Sequence, residues 1–149
     1  LLFATDSAQT WMGYRQLFTH WQRRPDVVTL VRDRLAIVRA LTPKSDREGG
    51  VKRFQRETYE LFAETLYDDI PPGADLETAE ANGGATYFHP SESDEAAPHF
   101  PILVDWDERF QEFDPRLRAE QGGVTEAQID ATFGGLIQWV TERVSGGGE

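Results

Sequence analysis

Apolar residues recur at intervals of three and four along the first half of the chain, which predicts a series of amphipathic helices. The first helix is predicted over about 7–22, with Asp6 and Gln9 forming a capping box at its start. A second helix is predicted over about 26–41 and a third over 51–69, and a proline follows each of the three. The apolar stripe of the first helix contains Trp11, Tyr14, Phe18 and Trp21.

The second half of the chain has a different pattern. Residues 71–100 are acidic and rich in Gly, Pro, Ser and Ala, which predicts an irregular insertion. The strand-like runs 85–89 and 100–106 are predicted to pair as a small β-hairpin. A capping box of Thr125 and Gln128 begins the last helix, whose apolar stripe is Ile129, Phe133, Leu136, Val140 and Val144.

Together these elements predict a mainly α-helical, bundle-like protein. A single helical domain is expected over 1–144, with the acidic insertion at 71–100 and the hairpin inside it. A short helix that begins near Asp105 leads from the insertion towards the last helix, and residues 145–149 are expected to form a flexible tail.

Composition narrows the classes of function. The 149 residues include 17 aromatic side chains and no cysteine, so a folded core is expected, and disulfides, thiolate catalysis and cysteine-ligated metals are excluded. No apolar run approaches the roughly 20 residues of a membrane helix, and no basic-then-apolar leader is present. The sequence therefore predicts a cytoplasmic protein without a membrane partner.

The net charge of −11 is unevenly distributed along the chain. Residues 1–56 contain 11 basic and five acidic side chains, a net charge of +6, whereas 57–149 carry −17. The acidic part is therefore expected to fold back over the basic helices, with its surplus facing solvent or a basic protein partner. Five aromatic residues near the edges of their apolar stripes could contribute to such an interface: Tyr14, Tyr59, Tyr67, Trp106 and Trp139.

Small residues on the last helix suggest a close helix–helix contact. Ala127, Ala131 and Gly135 lie four residues apart, and Gly134 adds a second helix-interior glycine, each of which costs about 1 kcal/mol relative to alanine. Two readings remain open, packing within the chain and a two-fold dimer interface that would also include Trp139. The second reading predicts a homo-oligomer.

One alternative function is a winged-helix-like regulator that binds DNA through the helix predicted over 51–69. Lys52, Arg53 and Arg56 near its start would face the phosphates. The acidic segment 91–95, at the position of the wing, and the net charge of −11 both disfavour contact with nucleic acid.

A second alternative is a small metal-dependent enzyme. His89 and His99 would lie close together across the hairpin, and Asp105 follows nearby, so the three are weak candidate metal ligands. Their spacing does not force them to converge, as two histidines four residues apart on a helix would. No phosphate-binding loop or nucleophile motif accompanies them, so the sequence assigns no catalytic residue and no cofactor.

The leading interpretation is a non-enzymatic interaction or regulatory protein. It is expected to be homodimeric through its last helix and to present an acidic, aromatic-containing surface to a basic partner. The exposure of Lys52, Arg53 and Arg56 separates this interpretation from the DNA-binding alternative.

Overall fold

Three short strands alternate with the helices of this chain and form one parallel sheet. The computed structural model describes residues 1–32, 34–45, 47–71, 87–111, 114, 116–121 and 123–146. The strands found there are β1 (Leu2–Ala4), β2 (Ile37–Thr42) and β3 (Ile102–Asp105). The helices are α1 (Ala8–Gln22), α2 (Pro25–Val31), α3 (Arg47–Thr65) and α4 (Glu126–Gly146), and short 3₁₀ turns occupy Glu108–Phe110 and Ala119–Gln121.

The predicted helical bundle is wrong, because the sheet makes this a mixed α/β protein. The main error is the second predicted helix, 26–41. Helix α2 ends at Val31, and the apolar run that begins at Leu35 continues as β2. A strand that is buried on both faces of a sheet is a continuous apolar run, and over so few residues no periodicity separates it from a buried helix.

The strands lie in the order β1-β2-β3, and both neighbouring pairs are parallel. Helices α1 and α2 connect β1 to β2, and α3 with the segment after it connects β2 to β3. The predicted hairpin is wrong for its second run, since 102–105 pairs in parallel with β2. Its first run, 85–89, lies partly outside the described residues, and the described part, 87–89, forms no strand.

The start of α1 differs from the predicted capping box. Its N-cap is Ser7, whose hydroxyl accepts a hydrogen bond from the Thr10 backbone N–H at 3.2 Å. Asp6 instead forms an ion pair with Arg39 of β2, with 2.6 Å between the carboxylate and guanidinium atoms. Asp6, two residues after β1, therefore ties this segment to β2 rather than capping a helix.

Local signals predicted α4 better. Its capping box is confirmed, because the Thr125 and Gln128 side chains each accept a hydrogen bond from the other's backbone N–H. The helix continues through Ser145 and Gly146, which were assigned to the tail, and 147–149 lie outside the described residues. Helix α3 begins at Arg47, one turn earlier than predicted.

Helices α1 and α3 pack on the same face of the sheet. Phe54 of α3 contacts Ala4 and Ile37 from the strands, and Trp11 of α1 packs against the same cluster. The Trp11 and Phe54 ring centroids are 5.0 Å apart. A second, larger cluster joins the two helices farther along: Phe18, Leu61, Phe62, Leu66 and Tyr67. Burial of each such side chain contributes about 2–3 kcal/mol, so these contacts hold both helices on the sheet.

Helix α4 lies beside β3 on the opposite face of the sheet. The register places Phe3, Val38 and Ile102 in one row across the strands, and Ile102 shares a cavity wall with Trp139 of α4. Val38 is fully buried in this row, whereas Phe3 is 55% exposed. This face of the sheet is therefore covered at β2 but not at β1.

Ion pairs connect the basic first part of the chain to the acidic remainder, as the charge distribution predicted. Three arginines of the first 56 residues pair with later acids: Arg15 with Glu64, Arg32 with Asp68 and Arg47 with Asp105. The acidic part therefore neutralises a share of the basic one within the fold. In the part of the chain that the structure describes, no helix has the length and apolar character needed to cross a membrane.

Candidate functional site at Trp139

A pocket of about 410 Å³ lies at the amino ends of β2 and β3, between α4 and the segment that leads into β3. Most of the residues that line it have apolar side chains, among them Leu35, Ala97, Phe100, Pro101, Ile102 and Trp139. The volume is within the roughly 300–1,000 Å³ that is typical of ligand pockets. The pocket is thus large enough for one long side chain or a small ligand.

Two carboxylates and one guanidinium line the same pocket, from Glu95, Glu142 and Arg143. The Arg143 guanidinium carbon lies 4.6 Å from the centroid of the Trp139 ring, which is a cation–π geometry. Arg143 and Trp139 are four residues apart on α4, so they are neighbours on the helix surface. The pocket therefore combines apolar side chains, an aromatic ring that Arg143 covers on one face, and two carboxylates against one guanidinium.

His99 anchors the segment that forms one wall of this pocket. Its side chain is fully buried, and the Tyr67 hydroxyl donates a hydrogen bond to Nδ1 at 2.6 Å. Nε2 donates to the backbone carbonyl of Glu92 at 3.2 Å. Burial lowers the pKa of His99 and raises the pKa of the Tyr67 hydroxyl, so both groups stay neutral near pH 7. Ala97 and Phe100, on either side of His99, are thereby held against the pocket.

His89 lies next to Tyr67 and next to a second tyrosine, Tyr59. Nδ1 donates to the Asp68 backbone carbonyl at 2.8 Å, and Nε2 lies 3.4 Å from the Tyr59 hydroxyl oxygen. The Tyr67 ring packs against both imidazoles, with centroid distances of 5.6 Å to His89 and 5.8 Å to His99. The two histidines thus anchor the irregular segment 87–101 to the carboxyl-terminal end of α3.

The third proposed metal ligand lies elsewhere. Asp105 is the last residue of β3 and pairs with Arg47 at the start of α3. Among the residues that the structure describes, no three His, Asp or Glu side chains are grouped as a metal site requires. The structure therefore brings His89 and His99 together but supplies backbone and tyrosine partners in place of a third ligand.

Lys52, Arg53 and Arg56 are all exposed on α3. Lys52 pairs with Glu48 one turn earlier, at 2.7 Å, and the neighbouring Gln55 amide donates to the Glu92 carbonyl at 2.9 Å. Helix α3 crosses between two parallel strands, so it does not occupy the position of a winged-helix recognition helix. The basic surface exists, but it lies beside an acidic segment and on a different fold.

The small residues of α4 lie on its outer surface. Ala127, Ala131 and Gly135 are exposed, and Gly134 is partly buried. A Cβ atom added at Gly134 or Gly135 would have no described atom within 4 Å outside its own helix turn. Among the described residues, no segment packs against Gly134 or Gly135, and Trp139 lines the pocket rather than the ridge.

The sequence analysis did not identify the charged residues that line the pocket. Glu95, Glu142 and Arg143 were not singled out, although the Trp139–Arg143 spacing on a predicted helix was a usable local signal. Glu95 carried no such signal, because it reaches the pocket only through the path of the irregular segment.

Comparison with protein families, with curated proteins and with solved structures finds no match to this chain. The fold defines a mixed α/β protein with a parallel sheet. Its function has to be argued from the chemistry of its surfaces, and the pocket at Trp139 brings aromatic, apolar and charged side chains together.

Proposed function

We propose that this protein is a non-enzymatic, cytoplasmic interaction protein whose pocket at Trp139 takes a basic side chain of a partner protein. The observation that carries the proposal is the Arg143 guanidinium stacked over Trp139 inside a pocket that also holds Glu95 and Glu142. An aromatic face with carboxylates around it matches the charge and shape of arginine or lysine, whose aliphatic stem would lie on the apolar wall.

The expected energetics suit an anchor rather than a whole interface. A guanidinium over a partly buried Trp ring contributes about 1–2 kcal/mol, and an exposed charge pair adds up to about 1 kcal/mol. The net charge of −11 also favours encounter with a basic partner over long distances. A complete interface therefore requires further contacts around the pocket.

Substitutions in the pocket test this proposal through calorimetric titration with N-acetyl-argininamide. Trp139→Leu is expected to weaken binding by about fivefold to thirtyfold, because it removes the aromatic face. Glu142→Gln is expected to weaken binding about threefold to fivefold, since it removes one charge partner. Glu126→Gln, an acid-to-amide change at the other end of α4, is the matched control and should leave the affinity unchanged. Equal losses in the two amide variants would refute the proposed role of the pocket.

A second proposal concerns self-association through the outer surface of α4. The observation in its favour is that a Cβ atom at Gly134 or Gly135 would meet no described atom within 4 Å, although each glycine lowers helix stability by about 1 kcal/mol. A second copy of α4 that packs closely against the two glycines would compensate for this loss of helix stability.

Gly135→Leu is expected to retain the fold and to weaken the dimer by at least tenfold. A Cβ atom at this position meets no described atom within 4 Å in the monomer, whereas the leucine side chain would block close approach of a second helix. Sedimentation equilibrium measures the association constant, and circular dichroism measures the fold. Gly13→Leu on α1 is the matched control, since its surroundings are equally open. A wild-type protein that stays monomeric at every concentration would exclude this dimer.

A further inference from the structure

A second cleft, of about 510 Å³, lies at the opposite edge of the sheet, at the carboxyl ends of β2 and β3. One side of the cleft is the loop from β2 to α3, which contains Lys44, and the other is the segment after β3, which contains Trp106 and Glu108. The carboxyl edge of a parallel sheet is where α/β proteins commonly bind small ligands. The chemistry of these side chains indicates which ligand would fit.

The end of β2 is distorted where it reaches this cleft. Three residue steps on β2, from Arg39 to Thr42, lie opposite two steps on β3, which is a β-bulge. Leu41 inside the bulge has a φ of 57° and is 51% exposed, so core burial does not compensate for its left-handed backbone. Bulges and strained residues of this kind concentrate next to functional sites.

Trp106 is positioned by the strand ends themselves. Its backbone N–H donates to the Thr42 carbonyl at 2.9 Å, which joins the two sides of the cleft. Its side chain is 39% exposed and borders the cleft, so part of the indole is available to a ligand. A flat or aliphatic group can therefore lie against this ring.

The cleft is lined by one ion pair and by two further charged side chains. Arg109 donates to both carboxylate oxygens of Asp107, and these hydrogen bonds hold the pKa of that carboxyl well below its usual range. Lys44 and Glu108 are exposed and border the same cleft, where Lys44 acts electrostatically on Asp107 and Glu108 on Arg109. Beside that pair, the cleft thus offers one ammonium, one carboxylate and one aromatic ring.

We propose that this cleft binds a free α-amino acid with an aromatic or aliphatic side chain. The ligand carboxylate pairs with Lys44, its ammonium group pairs with Glu108, and its side chain lies against Trp106. A zwitterion is favoured because a simple anion would be repelled by Glu108 and a simple cation by Lys44. This site is separate from the pocket at Trp139 and does not depend on it.

Three probes that differ by one charged group test the proposal. L-phenylalanine carries both charges, N-acetyl-L-phenylalanine lacks the ammonium group, and L-phenylalaninamide lacks the carboxylate. Titration followed by NMR at the Trp106 indole N–H should give the free amino acid an affinity about threefold to fivefold higher than either analogue. Equal affinities for the three probes, or no shift of the indole signal with any of them, would overturn the proposal.

Three variants assign the contacts. Lys44→Met should remove the preference for L-phenylalanine over L-phenylalaninamide, and Glu108→Gln should remove the preference over N-acetyl-L-phenylalanine. Trp106→Leu should weaken all three probes about tenfold or more, with binding then measured by calorimetry and the fold checked by circular dichroism. Lys52→Met on α3 is the matched control for the lysine substitution. If it reduced L-phenylalanine binding as much as Lys44→Met, the assignment of Lys44 would be contradicted.

Discussion

Replacement of Asp6 by Asn is expected to lower the free energy of unfolding by about 3 kcal/mol, because it leaves a buried guanidinium without its countercharge. The Arg39 side chain is 4% exposed and pairs with Asp6 at 2.6 Å. Its second terminal nitrogen, Nη1, is buried and has no hydrogen-bond partner among the described residues, and the guanidinium lies over the Phe54 ring. Asp6 itself is partly exposed, which keeps the expected loss at the lower end of the range for buried pairs.

A double-mutant cycle separates the charge effect from loss of packing. Arg39→Met should cost about 1 kcal/mol or less, since it removes the guanidinium together with its desolvation penalty. The double variant with Asp6→Asn should then be more stable than Asp6→Asn alone. Urea unfolding gives the four free energies. Additive losses in the double variant would show that the ion pair does not account for the effect.

Replacement of His99 by Leu is expected to lower the free energy of unfolding by about 2 kcal/mol, because it leaves the buried Tyr67 hydroxyl without a partner. The Glu92 carbonyl loses the same imidazole but still accepts a hydrogen bond from Gln55. The matched control is His20→Leu on α1, where the side chain is exposed and little change is expected. A similar loss in both variants would contradict the anchoring role of His99.

His99 also makes the stability of the fold depend on pH. Burial lowers the pKa of His99 in the folded protein, whereas an unfolded chain protonates histidine near pH 6.5. Below about pH 6.5 the unfolded state therefore binds more protons, and the free energy of unfolding should fall by up to about 1.4 kcal/mol per pH unit. The fall ends below the lowered pKa. Carboxylates with lowered pKa values, such as Asp68, reduce the free energy of unfolding only below about pH 4, where they become protonated in the unfolded chain.

Urea unfolding between pH 7 and pH 5 measures this dependence. The groups that act on His99 electrostatically, Glu92, Asp94 and His89, remain in place when His99 is replaced. The His99→Leu variant should therefore show a shallower pH dependence than the wild type over this interval. Equal slopes would mean that His99 does not carry the effect.

Local sequence signals predicted local structure, and they failed where distant segments decide the outcome. The α4 capping box was predicted correctly because both of its partners lie within one helical turn. The run that begins at Leu35 was assigned to a helix, because only pairing with 2–4 and 102–105 makes it a strand. His89 and His99 do lie near each other, as predicted, but the tyrosines of the α3 region bring them together rather than a hairpin.

The pocket at Trp139 also depends on contacts between segments that are distant in the sequence. Its walls come from residues near 35, from 95–102 and from α4, so no window of sequence contains it. Trp139, Glu95 and Glu142 line this one pocket because the irregular segment carries Glu95 to α4. Arg39 was likewise counted only as one basic residue among 11, since its burial follows from its place in the central strand.

The NMR signal of the Trp139 indole N–H reports directly whether the pocket at Trp139 takes a basic side chain. The protein is titrated with N-acetyl-argininamide and, separately, with N-acetyl-citrullinamide, which has nearly the same shape without the charge. We expect a saturable shift of this signal with the arginine compound and little or none with the citrulline compound. Equal shifts with both compounds, or no shift with the arginine compound, would contradict it.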